Sequence, residues 1–178
     1  MFRGKRVVHI VAAGRNGEIG KDNGMLWHIT EDFKYFREKT LGQVILMGRK
    51  TIASLPKPLT RRVVLEVSQK SAFNYTPPFG DYPEKEEALQ LMLDVALNRT
   101  EMLNTDTIYI AGGGQLYKST EQYVDTILLT RVEKDFPDAD TFYEVPEGFM
   151  MEGITQPTIN VDLDGELCFV HFVVYQKA

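Results

Sequence analysis

The chain has a single cysteine, Cys168, among 178 residues. No internal disulfide is possible, and no thiolate cluster can be assembled for a metal. Histidine is scarce as well: His9, His28 and His171 stand far apart and show no ligand spacing. No apolar run approaches the roughly 20 residues that a bilayer demands. The apolar stretch Val7–Ala13 is interrupted by His9 and is too short for a secretory core. Positive charge is not in excess either. Twenty basic residues against 25 acidic ones give a net charge of −5, with no basic stripe to receive nucleic acid. Repeats and linkers are missing too. These absences predict one domain, without metal, membrane or nucleic-acid partners, working as a monomer in a reducing cytoplasm.

What is present reads as alternating strands and helices. Val7–Ala13 and Gln43–Met47 are short apolar runs of the kind that become buried strands, and Arg62–Val67, Thr107–Ala111 and Thr126–Val132 follow the same pattern. Between the first two lies Arg15–Gly24, polar and glycine-bearing, which predicts a mobile loop. Thr30 is placed to cap a helix running to about Thr40, with Glu31 and Asp32 in its first turn. Gly48–Leu55 predicts a short helix closed by Pro56 and Pro58. Ser71–Pro83 predicts irregular chain, and Glu84–Asn98 an amphipathic helix. Asp164-Gly165 signals a hairpin turn leading into the strand Leu167–Tyr175. The fold class that results is α/β: a single domain with a central, mostly parallel mixed sheet, an antiparallel C-terminal hairpin and about four flanking helices.

Three groups of residues carry chemistry. Gly112-Gly113-Gly114-Gln115-Leu116-Tyr117 follows a strand and opens a helix. Glycines there allow a ligand to approach backbone N–H groups, although a tight turn without a ligand reads the same way. The spacing is neither the dinucleotide-fold fingerprint nor a P-loop. Gly48-Arg49-Lys50-Thr51 puts two cations at a helix start, where they oppose the helix dipole unless an anion sits there or water screens them. Asp32 and Phe36 share a helix face near Trp27. A carboxylate beside an aromatic ring suits proton chemistry, and it equally suits a plain first-turn carboxylate.

Taken in order, these motifs resemble the dihydrofolate reductase family. The similarity runs through Ile19-Gly20, Asn23, Trp27 and Asp32, then Val44–Thr51 with Ser54–Leu59. It continues in Ile110–Tyr117, Leu129–Val132 and Asp138–Phe142, and lapses between about Lys70 and Asp106 and after Pro146. The resemblance implies NADPH-dependent reduction of 7,8-dihydrofolate, with antifolate inhibitors as further ligands. It implies that Asp32 binds the pterin with Thr130 behind it, and that Trp27 orders a water nearby. Ile10, Val11, Phe36, Leu55, Lys57 and Leu59 would line the folate pocket, with Arg62 on the glutamate α-carboxylate. Ala12, Ile19, Gly20, Gly48 and Gly112–Tyr117 (Gly112, Gly113, Gly114, Gln115, Leu116, Tyr117) would meet the nicotinamide and pyrophosphate. Arg49, Lys50, Thr51, Ser68 and Gln69 would take the adenosine end and its 2′-phosphate. The peptide joining Gly112 and Gly113 is expected to be cis.

Two departures from the family pattern fall at the pocket. Leu26 stands where proline usually precedes the tryptophan, and Thr60-Arg61-Arg62 replaces a Pro-Gly-Arg turn. Inhibitor affinities therefore do not transfer from relatives. Two rival readings share part of the pattern. A reductase of a pyrimidine intermediate in riboflavin synthesis would keep the cofactor motifs without needing Asp32 and Arg62 together. A non-catalytic nucleotide-binding protein would keep only the glycine turn.

Overall fold

The computed structural model describes residues 1–68 and 85–178. The expectations for Gln69 and for Ser71–Pro83 lie outside the described residues. The elements begin with β1 (Arg6–Ala13), β2 (Glu18–Gly20), α1 (Thr30–Thr40), β3 (Val44–Gly48), α2 (Arg49–Ser54) and β4 (Val63–Val67). They continue with α3 (Lys85–Leu103), β5 (Thr107–Ile110), α4 (Gly114–Thr120), β6 (Thr126–Val132) and β7 (Thr141–Phe142), and end with β8 (Phe149–Leu163) and β9 (Glu166–Lys177).

Seven strands form one sheet in the order β4-β3-β5-β1-β6-β9-β8. The neighbours from β4 to β6 run parallel, and β9 and β8 add antiparallel pairings at one edge. The fold class expected from the sequence holds. Strand β1 is central, flanked by parallel partners on both sides, and almost all of it is buried. That is why it reads as a continuous apolar run rather than an alternating one. Its alternate residues still serve two different layers. Val8 and Ile10 pack with Leu128 and Phe36 on one face. Val7, Val11 and Ala13 join the main core on the other, beneath α3.

Several boundaries differ from expectation, each for a physical reason. Thr30 is the first residue of α1 and not its cap. Ile29 holds the cap position in extended conformation without a side-chain hydrogen bond. Its side chain is buried with Tyr35, Val132, Val170 and Phe172, so packing rather than capping fixes the helix start. Helix α3 runs on to Leu103, where Asn104 adopts φ +54° and the Thr105 N–H closes on the Thr100 carbonyl at 2.9 Å. This is the usual left-handed stop, with asparagine in glycine's place. The turn Asp164-Gly165 has both residues at positive φ, +56° and +82°, the conformation an Asp-Gly hairpin turn requires.

Two features were not anticipated. The polar loop Arg15–Gly24 contains a strand, β2, paired antiparallel with β7. Strand β8 occupies the sheet edge with three register shifts and Pro157 in its span. Such irregularity is typical of an edge, where a missing N–H costs no interior ladder bond. Cys168 lies in β9 opposite Val161, buried, far along the hairpin from β1. No helix among the described residues is long and apolar enough to cross a membrane.

Candidate active site

The parallel strands β3, β5 and β1 end on the same side of the sheet, and the candidate cleft is the space between the elements that follow them. In α/β sheets this carboxyl edge is where ligands bind. Asp32 enters from the first turn of α1 and is 8% exposed. Burial pushes its carboxyl up from the usual 3.8 to about 6, and hydrogen bonding by the Thr130 and Trp27 side chains pulls it partly back. Thr130 reaches it from β6, where it stands opposite Ala12 of β1. Phe36, one helical turn beyond Asp32, packs with Ile10, Val8 and Leu128 on the same face of the sheet. The Trp27 indole tilts over Phe136, with ring centroids 5.0 Å apart. Its Nε1 is buried and meets no acceptor at full hydrogen-bond geometry, although it sits close enough to influence Asp32. A poorly solvated carboxylate beside an apolar wall, with an indole N–H close to it, suits a flat polar heterocycle.

Two cations meet beyond Asp32: Arg37 in the last turn of α1 and Arg62 in the turn that precedes β4. Burial and then the nearby Arg37 charge lower the pKa of Arg62. Both guanidinium groups therefore share a neighbourhood, and neither forms an ion pair with a described carboxylate. Arg62 is held by its own Nε, which donates to the Thr60 carbonyl at 2.9 Å. Arg61 makes the turn at φ +58°, so the bend survives without the family's glycine. Leu55 and Leu59 are half-buried nearby in sequence, whereas Lys57 is exposed.

The other half of the cleft is backbone. The peptide between Gly112 and Gly113 is cis, as expected. The Gly112 carbonyl accepts the Gly48 N–H at 2.8 Å, which fastens the end of β3 to the glycine turn. A Cβ added at Gly113 would lie 3.1 Å from the Thr51 Oγ1, and one at Gly114 2.8 Å from the Thr141 Cγ2. Side chains are excluded there by close packing, and the surface left to a ligand is main chain. That cradle fits a dinucleotide phosphate. Arg49 and Lys50 are exposed at the start of α2, with no acidic residue in that turn. Ser68 donates to Glu66 Oε1 at 3.2 Å.

A model of the family described as dihydrofolate reductase matches residues 6–176. The chain belongs to the dihydrofolate reductase family. It is 34% identical to the dihydrofolate reductase of Haemophilus influenzae over 134 residues, covering 75% of this chain and 76% of that one. Identity to the type 9 dihydrofolate reductase of Escherichia coli is 36% over 126 residues, or 70% and 68% of the two chains. A Neisseria meningitidis dihydrofolate reductase aligns over 172 residues at 29% identity, covering 96% of this chain and 99% of its own.

Set against the roles that the family resemblance implies, the structure gathers Asp32, Thr130, Trp27, Phe36 and Ile10 at one end of the cleft. Three of the remaining side chains point into the core. Val11 points into the opposite layer with the main core, because neighbouring residues of a strand face opposite ways. Leu116 and Tyr117 are buried in that same core, and the Tyr117 hydroxyl is spent on the Ile10 carbonyl at 2.7 Å. These three can meet a ligand only through their backbone. Ile19 and Gly20 lie on β2, with Ile19 Cδ1 4.0 Å from where a Gly114 side chain would begin.

Sequence reading missed three residues. Arg37 follows Phe36 and looks like an ordinary helix-end cation, since only the fold brings it to Arg62. Glu18, a polar loop residue in sequence, is 2% exposed. His9, read as a break in an apolar run, is fully buried under the cleft. Its Nε2 meets the Thr120 Oγ1 at 2.7 Å and its Nδ1 the Tyr143 hydroxyl at 3.0 Å. Thr120 already donates to the Leu116 carbonyl, so Nε2 carries the hydrogen and Nδ1 accepts from Tyr143. A neutral ring satisfies every partner, and burial lowers its pKa from 6.5 to about 3.

Proposed function

We propose that this chain reduces 7,8-dihydrofolate to 5,6,7,8-tetrahydrofolate with NADPH. The observation that carries the reading is the pairing of one buried, pKa-raised carboxylate with two neighbouring arginines across a single apolar wall, beside a side-chain-free glycine turn. Dihydrofolate has the matching shape: a pterin that donates hydrogen bonds, an apolar middle and a terminal glutamate. Asp32 accepts from the pterin N3 and 2-amino groups, with Thr130 orienting it from behind. Arg62, supported by Arg37, forks onto the glutamate α-carboxylate, a geometry that guanidinium groups serve well. Bound NADPH supplies the hydride that the pterin C6 accepts.

The remaining requirement is a proton at N5. Asp32 is the ionisable group at the pterin end, and it raises the basicity of N5 by placing negative charge on the far side of the ring. Water near Trp27 then delivers the proton. Closure of the segment Gly14–Gly24, which β2 and β7 already tie together, excludes bulk solvent from the reacting atoms. Arg49, Lys50, Thr51 and Ser68 would receive the 2′-phosphate end of the cofactor. Following absorbance at 340 nm tests the reading directly. NADPH oxidation must depend on added dihydrofolate, and NADH must substitute poorly.

A further inference from the structure

The loop that closes over the cleft contains a buried carboxylate that this scheme does not use. Glu18 sits in β2, 2% exposed, with no cation among its described contacts. Its Oε1 accepts the backbone N–H of Asn16, and its Oε2 accepts the backbone N–H of Phe136 at 2.6 Å. These N–H groups belong to two different loops. Asn16 precedes β2, whereas Phe136 lies between β6 and β7. A buried carboxylate satisfied by two short, charge-assisted hydrogen bonds is a strong joint. The space for it is made by Gly14, where an added Cβ would stand 2.7 Å from the Phe136 ring and 3.1 Å from the Glu18 carboxyl. Exposed partners surround the joint: Asn16 Nδ2 and Arg15 reach Asp135 at 3.0 and 3.3 Å. Being exposed, they add little.

The joint leads to the substrate end of the cleft. Phe136, whose N–H Glu18 holds, packs against Trp27 with the rings tilted 42° to each other, and Trp27 helps to set the charge state of Asp32. We infer that Glu18 is a positioning residue, whose carboxylate clips the β1–β2 loop to the β6–β7 loop and so holds Phe136 against Trp27 at the pterin-binding carboxylate. The inference rests on the reading of Asp32 and Trp27 as substrate-facing. An apolar residue at position 18 would leave two buried N–H groups unpaired, and a glutamine would set an amide N–H against one of them.

The test is a double-mutant cycle of Glu18→Gln and Phe136→Leu in the full chain, read in two ways. Trp27 is the sole tryptophan, so its fluorescence reports the joint without substrate or cofactor. Each single variant should shift Trp27 emission to the red, and the double variant should match Phe136→Leu alone. Single-turnover reduction of dihydrofolate at saturating NADPH should fall about tenfold in Glu18→Gln, as loss of a charge-assisted bond implies. NADPH affinity should stay within about twofold, because the cradle at Gly112–Gly114 is untouched. The double variant should again be no slower than the slower single one.

Additive effects on emission or rate would overturn the inference, since they would mean that Glu18 acts independently of Phe136. Equal losses of NADPH affinity and rate would overturn it too, because they mark general loosening of the fold. If Glu18→Gln does not fold, Glu18→Asp replaces it. Aspartate is one methylene shorter and spans only one of the two N–H groups, so an intermediate red shift supports the clip and wild-type emission refutes it. A wild-type chain inactive on dihydrofolate would sink the proposed function, while the fluorescence cycle would still judge the clip.

Discussion

Replacing Asp32 with asparagine should make the ligand-free protein more stable while disabling it. The fold raises the Asp32 pKa from 3.8 to about 6, so the native state disfavours the charged form. For an acid whose folded pKa is raised, the destabilisation is absent below the unfolded pKa, grows between the two values and is complete above the folded one. Each unit corresponds to about 1.4 kcal/mol, so near pH 7.5 the charged side chain costs about 3 kcal/mol. Hydrogen bonding by Thr130 and Trp27 is already counted in that net value, and an amide oxygen still accepts from Thr130. In a chain of this size about 3 kcal/mol corresponds to a rise of roughly 6–12 °C in Tm. His9 titrates in the opposite sense. Its folded pKa of about 3 means that stability is lost as pH falls below 6.5, equally in both proteins, so it cancels in the comparison. Thermal melts of the two ligand-free proteins at pH 7.5 and pH 4 provide the assay. The asparagine variant should melt higher at pH 7.5 and alike at pH 4. Turnover with dihydrofolate at neutral pH should fall by at least ~10²-fold and recover partly in acid, where solvent protonates the substrate. Equal melting temperatures at pH 7.5 would refute the claim that the site is built at the expense of stability.

Arg61→Gly should stabilise the protein by about 0.5–1 kcal/mol, the left-handed strain of arginine less the backbone entropy of glycine, with turnover unchanged; chemical denaturation measures it. Arg62→Ala should raise KM for dihydrofolate by about 10–100-fold, and Arg37→Ala by less, with neither affecting a pterin that lacks the glutamate tail. Replacing Arg49 and Lys50 together by alanine should cost a few kcal/mol of NADPH affinity and little for NADH; equal losses, read by calorimetric titration, would remove these residues from the 2′-phosphate site.

How much was legible in the sequence depended on where each element lies. β1, β3 and β6 were readable because central parallel strands are buried on both faces, which leaves a continuous apolar run. β8 was not, because an edge strand with bulges and a proline carries neither a continuous nor a clean alternating pattern. Helical spacing was enough to pair Asp32 with Phe36. Nothing local could announce the joining of Glu18 to Phe136, whose partners are 118 residues apart, or the meeting of Arg37 with Arg62. Val11 shows the limit from the other side. The family resemblance set it at the pocket, and the two-residue period of β1 turned its side chain away.

The position of Cys168 gives this protein a built-in clock for motion remote from its chemistry. The thiol is buried in β9 against the edge strand β8, and burial pushes its pKa up. A thiol reagent can reach it only after this edge of the sheet or the chain packed over it opens, and no other sulfhydryl competes. The rate of alkylation therefore counts openings of the sheet edge, a local event distinct from global unfolding. Comparing that rate with and without ligands in the cleft would tell how far the rigidity gained at the carboxyl ends of β1 and β3 travels across the strands.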